Sequence, residues 1–141
     1  MSEAVAVMEW KRTTILPRLY WKLARAFCDQ LPCPRIRAFR LGYGYIDDSG
    51  ATPQIQTIPD DLADIPAVFF AGTPESAASD GRALFSCVVP EGAVAVPTRC
   101  SMLGLYDQDD ELVAVAQFLP AWINPDEANT YRPFIDFPTE G

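Results

Sequence analysis

Four carboxylates crowd five positions of the stretch CSMLGLYDQDDELVAVAQF, residues 100–118: Asp107, Asp109, Asp110 and Glu111. Such a cluster has three readings: a metal loop, an acid/base site, or the polar tip of a β-hairpin. A calcium loop needs a central glycine and a distal glutamate, and both are missing here. An acid/base pair needs two carboxylates converging on one bond. The candidates Asp47/Asp48, Asp60/Asp61 and Asp109/Asp110 are each adjacent in sequence, and adjacent strand residues point to opposite faces. All three pairs lie in turn-like surroundings, where aspartate caps nearby N–H groups. A solvated hairpin tip is the expected reading.

Nucleophilic chemistry fares no better. The chain has no histidine, which excludes Ser–His and Cys–His arrangements. Of the four cysteines, Cys28 and Cys33 lie five apart, and Cys87 and Cys100 are isolated. Zinc would need all four thiolates at unfavourable spacings, so buried free thiols in a reducing compartment are expected. The "GYG" at residues 42–44 lacks the spacing of a phosphate loop and does not open a helix. No catalytic, cofactor-binding or metal-ligating residue is assigned, and an enzyme is not expected.

The elements that would position these residues are short. In TTILPRLYWKLARAFCDQLP, Leu16, Leu19, Tyr20, Leu23, Phe27 and Leu31 recur at three and four residues, which is one helical face. Thr14 or its neighbour can cap that helix, Pro17 fits its first turn, and Pro32 and Pro34 stop it. Arg18, Lys22, Arg25 and Asp29 fall on or near the opposite, solvated face. Trp21 beside them is either an exposed anchor or a residue packed at the core edge. Residues 35–47 read as a strand in which Gly42 and Gly44 mark a bulge or a close backbone approach. A long connection (48–63), a short buried run (65–74), a loop (75–81) and a clear strand (82–90) follow. Strands 100–106 and 111–119 flank the acidic tip. Apolar residues on both faces of the second imply a sheet covered on both sides, or one face reserved for a partner. After a turn-rich link, residues 131–138 form a last strand, which Pro133 would place at an edge.

Length and composition fit one domain of several short segments: 141 residues, 49% hydrophobic, with thirteen prolines. No apolar run approaches a membrane-spanning helix, so no membrane insertion is expected. The N-terminus has glutamates before its apolar run and basic residues after it, the reverse of a signal peptide. The net charge of −8 is uneven: residues 1–40 hold eight of the eleven Lys/Arg and three of the nineteen acids, a net of +5, which leaves −13 on residues 41–141. Two poles of opposite sign attract a partner or a second copy. Without a nucleic-acid motif, nucleic-acid binding is not expected of the basic pole.

Three segments together resemble the N-terminal domain of phage tail fibre (tail-collar fibre) proteins. Val89–Pro90 closes one strand, Gly104–Leu105–Tyr106–Asp107 ends the next, and Leu112–Val113–Ala114–Val115 follows a short polar turn. Upstream, the helix from Thr14 to Leu31 and the step Leu41–Gly42–Tyr43–Gly44 also match, so the resemblance spans roughly residues 13–120. The turn Gln108–Asp109–Asp110 departs from the glycine that family members usually carry, and the helix carries Pro17, Tyr20 and Trp21 in place of small residues. The resemblance implies a virion structural protein that docks on the baseplate periphery of a phage tail or related contractile particle, made in the host cytoplasm and trimeric. With the chain ending at Gly141, it reads as the attachment domain alone, an adaptor or short fibre head with the fibre proper in another chain. A non-virion assembly chaperone or regulatory binding module is the alternative.

The expected architecture is α+β, an N-terminal helix packed on a mainly antiparallel β-sheet or small β-sandwich. Residues 1–12 form an N-terminal arm, 13–120 the domain, and 121–141 a C-terminal extension serving as edge strand or partner-binding tail. The expected interface residues are Arg18, Trp21, Arg25, Leu105, Val113, Val115, Trp122, Tyr131 and Phe134, facing baseplate proteins, tail-fibre proteins and copies of the chain.

Overall fold

The computed structural model describes residues 5–137, with side chains from Glu9 onward. Eleven strands run along the chain: β1 (Val5–Arg12), β2 (Thr14–Ile15), β3 (Ile36–Gly42), β4 (Ile46–Asp47), β5 (Gln54–Ile55), β6 (Phe70–Gly72), β7 (Glu75–Ser79), β8 (Arg82–Val89), β9 (Thr98–Asp107), β10 (Leu112–Ile123) and β11 (Ala128–Asp136). Among the described residues there is one helix, α1 (Pro17–Phe27), between β2 and β3. The expected α+β class is therefore corrected: this is a β-rich fold. One sheet has the order β1-β11-β8-β7 and a second β2-β10-β9-β3-β6, while β4 and β5 form a small ribbon.

The helix is shorter than its periodicity implied because its flanks are used otherwise. Thr14 and Ile15 pair antiparallel with Val115 and Ala114 at the edge of β10, so threonine does not cap α1. Leu16 takes the N-cap position without a side-chain bond, and Pro17 opens the helix, where its missing N–H leaves nothing unpaired. Asp29, at φ 58°, follows the last turn in the left-handed region, a conformation that ends helices.

The second sheet is buried on both faces because β9 and β10 are apolar on both. Leu103, Leu105, Val113 and Ala114 pack into the core between the sheets, with Phe39, Phe85 and Ile135. Met102, Tyr106, Leu112 and Val115 face the other way, under Leu16, Ile58, Leu62 and Ile65. The connection after β5 is thus a third layer. Gly104 makes that layer fit: a Cβ there would lie 2.7 Å from Leu112 Cδ1 and 3.1 Å from Ile65 Cγ2. The close approach expected at Gly42 is present too, where a Cβ would stand 2.2 Å from the Pro66 carbonyl oxygen.

Both ends of the chain depart from expectation. Residues 5–12, read as an arm, are strand β1, paired in parallel with β11. β11 is not an edge strand but lies between β1 and β8. Pro133 is tolerated there because the β11–β8 ladder passes from Tyr131↔Cys87 to Phe134↔Leu84 without pairing at Pro133 and without a change of register. Residues 75–81, read as a loop, contain β7. The first four residues of the expected arm and the last four of the expected extension lie outside the described residues.

Candidate functional site

The acidic tip is built as expected and wired differently. Asp107 and Glu111 flank a three-residue turn, with Asp107 N–H donating to the Glu111 carbonyl (3.0 Å) and Asp110 N–H to the Asp107 carbonyl (3.0 Å). Asp110 holds the left-handed position at φ 61°. Aspartate is one of the few non-glycine side chains that tolerates this conformation.

Asp107 is not solvated. Its side chain is fully buried, and Lys22 Nζ lies 2.5 Å from Oδ2. Oδ1 accepts the backbone N–H groups of Asp109 (3.0 Å) and Glu111 (3.1 Å). The same ammonium reaches Glu111 Oε1 at 2.5 Å and Asp109 Oδ2 at 3.2 Å, both on exposed side chains. Lys22 has three N–H donors, and each finds a carboxylate. Burial alone would lower the Lys22 pKa, but the bonds to Asp107, Glu111 and Asp109 outweigh it and raise it above its ordinary value. The Lys22 ammonium is thus held in its charged form, and both oxygens of Asp107 are engaged within the chain.

A second cation closes the outer side. Arg40, half-buried, bonds Asp110 Oδ1 at 2.6 Å and Asp64 Oδ2 at 3.3 Å. Its guanidinium lies 4.1 Å from the centre of the Tyr106 ring, a stacking that favours arginine. Tyr106 donates its hydroxyl to Asp64. Burial, reinforced by that bond, pushes the Tyr106 pKa up to about 12. Arg18 donates to the carbonyls of Leu62 (3.2 Å) and Leu112, joining α1, the third layer and β10. Three of the basic residues assigned to a positive pole are thus consumed inside the molecule. Among the described residues no cluster of His, Cys, Asp or Glu is arranged to hold a metal ion.

The expected interface residues divide into two sets. Leu105, Val113, Val115 and Tyr131 are buried in the chain's own core, so they are not surface groups of this chain. Arg18 is held internally, as described. Trp21 is 54% exposed, with the Arg25 guanidinium 4.1 Å from its ring centre. Trp122 is 59% exposed and shares Arg99 with Tyr43, the guanidinium lying 5.9 Å and 4.8 Å from the two ring centres. Phe134 is half-buried beneath Arg12 and Arg82, at 5.8 Å and 5.4 Å. Phe27, counted on the apolar helical face, is instead 87% exposed, and Tyr20 lies exposed beside it.

The sequence reading missed Lys22 as an inward residue. The available signal was its place between Leu19 and Leu23, on the shoulder of the apolar face, in a chain whose turn carries four acids. The thiols also divide. Cys87 and Cys100 are buried, whereas Cys28 and Cys33 are exposed, so the expectation of four buried thiols holds for only two. Burial pushes the pKa of Cys87 and of Cys100 up to about 12, which removes them as nucleophiles at neutral pH. No helix among the described residues is long and apolar enough to cross a membrane. No protein-family model, no curated protein and no solved structure matches this chain.

Proposed function

We propose that the protein is a binding module, a virion structural adaptor or short fibre head that attaches a tail fibre to the baseplate of a phage tail or related contractile particle, working as a homotrimer. The observation that carries the binding role is the division of its surface. The polar hub at the β9–β10 turn is paired internally, while Tyr20, Trp21 and Phe27 stand exposed on α1 and Trp122 on β10. Exposed aromatics next to arginine are the residues that dominate protein–protein interfaces. The particle context rests on the resemblance of the Gly104–Asp107 and Leu112–Val115 strands. The assignment as virion protein is tested by mass spectrometry of purified particles together with pull-down of baseplate and fibre proteins by the isolated chain. Presence in the particle and capture of either partner support it; a monomer that binds neither and is missing from particles ends it. The alternative, an assembly chaperone that leaves before the particle is finished, is favoured by the outer edge of β7, which has no partner strand among the described residues and suits temporary capture of another chain's strand.

A further inference from the structure

The outer face of the β1-β11-β8-β7 sheet carries two aromatic rings among arginines. Along β11, Tyr131, Pro133 and Ile135 are buried, so Arg132, Phe134 and Asp136 lie on the opposite face. Their cross-strand neighbours share that face: Trp10 beside Arg132 and Arg12 beside Phe134 on β1, Leu84 beside Phe134 and Arg82 beside Asp136 on β8. A pocket of about 200 Å³ opens there, lined by the apolar Trp10, Phe134 and Leu84 and by the polar Ser79, Asp80 and Arg82.

Contacts within the chain orient this lining. Arg132 lies 4.1 Å from the Trp10 ring centre, and Trp10 keeps 41% of its surface exposed. Arg12 and Arg82 approach Phe134 at 5.8 Å and 5.4 Å. Asp136 holds both, 3.0 Å from Arg12 and 3.5 Å from Arg82. Asp80 and Gly81 form the β7–β8 turn, both left-handed at φ 52° and 79°, the two-residue form that joins strands most tightly. That turn places Ser79 and Asp80 in the lining.

The lining selects its ligand. Aromatic faces carry negative charge and attract polarised C–H groups. Ser79 donates and accepts, Arg82 only donates and Asp80 only accepts. The pocket therefore holds one cation and one carboxylate, so an anionic ligand meets Asp80 and a cationic one meets Arg82. A neutral molecule with a C–H face and a rim of hydroxyls satisfies the rings and the polar groups together, and a pyranose sugar is such a molecule. A nucleobase also stacks on aromatic rings, but it brings phosphates towards Asp80 in a chain of net charge −8.

We propose that this pocket binds one pyranose unit of a neutral saccharide. Trp10 stacks on the C–H face of the sugar, Asp80 accepts from its hydroxyls, and Arg82 and Ser79 donate to them. The inference stands apart from the particle assignment, since it names a ligand and not the assembly, and either can fail without the other.

The test is a nuclear magnetic resonance titration of the nitrogen-15-labelled chain with the methyl glycosides of glucose, galactose, mannose and N-acetylglucosamine. The expected result is that at least one of them shifts the Trp10 indole N–H and the amides of Ser79–Arg82. Its affinity should fall roughly tenfold in Asp80→Asn, vanish in Trp10→Ala, and stay unchanged at high salt because the ligand is neutral. Asparagine tolerates the left-handed turn position, so Asp80→Asn decides even if Trp10→Ala loses its dispersed spectrum. Binding of none of the glycosides, shifts confined to other surfaces, or an affinity unmoved in Asp80→Asn overturns the proposal. So does tighter binding of inorganic phosphate or adenosine monophosphate than of any glycoside, which would make the site one for anions or bases.

Discussion

The β9–β10 turn and the β7 edge are both polar margins of a β structure, treated in opposite ways. At the turn, every carboxylate has a partner: Lys22 for Asp107, Asp109 and Glu111, and Arg40 for Asp110. At the edge, β7 has no neighbouring strand on its outer side among the described residues. A buried ion pair costs desolvation and is kept where its geometry specifies one arrangement; here it fixes how α1 sits on the hairpin. An open edge gains nothing for the isolated chain and has value only to something that binds it. The first margin ties the chain together; the second is left open among the described residues.

The comparison breaks most completely through the hairpin core. Leu105→Asp places a carboxylate at a fully buried position, with an expected loss above about 4 kcal/mol. Circular dichroism should show no cooperative melt, and a folded variant would mean the hairpin is not the centre of the structure. Next comes Lys22→Met, which leaves Asp107 buried and uncompensated. A loss of about 3–5 kcal/mol is expected in urea unfolding, against near neutrality if the pair were decorative.

Alkaline pH sharpens the same contrast. The folded state holds the protons of Cys87 and Cys100 to about pH 12, against an ordinary value of 9.0. Between those limits the unfolded chain binds fewer protons than the folded one, so stability must fall as pH rises above 9. Tyr106, pushed from 10.0 to about 12, and Lys22, raised from 10.5, add to the loss above their unfolded values in the same direction. Thermal melts from pH 7 to 10.5 should show a level region and then a decline, and Cys87→Ala with Cys100→Ala should delay its onset.

Smaller effects belong to the exposed groups. Asp109→Asn with Asp110→Asn removes two solvent-facing partners, with side chains 64% and 71% exposed, and should cost less than about 1 kcal/mol. A cost equal to that of Lys22→Met would move the weight of the hub from Asp107 to the turn. Least of all, Ala78→Lys on β7 should change urea stability by no more than about 0.5 kcal/mol while weakening any strand added there.

Much of this was legible in local pattern. The apolar residues on both faces of β10 implied a sheet covered on both sides or one face kept for a partner, of which the first holds, and the acidic run implied a turn. Gly42 and Gly44 implied a bulge or a close approach, and Pro17 implied the first helical turn. Those signals are local: alternation, turn chemistry and missing side chains act on neighbours in sequence. The groups that failed to show themselves depend on distant partners. Lys22 looks solvated until Asp107, 85 residues away, is brought beneath it. Thr14 looks like a cap until β10 offers it an edge.

The sequence by itself determined the hairpin and its turn, because side-chain size and polarity act there over a few residues. Only the tertiary structure decided the β-rich class, the interior place of β11 and the partner of each carboxylate. Thr13 meets Phe134 across 121 residues, and β1 and β11 join in parallel over a similar span. Such a pairing is chosen by how well whole faces fit together, and no local periodicity encodes that fit.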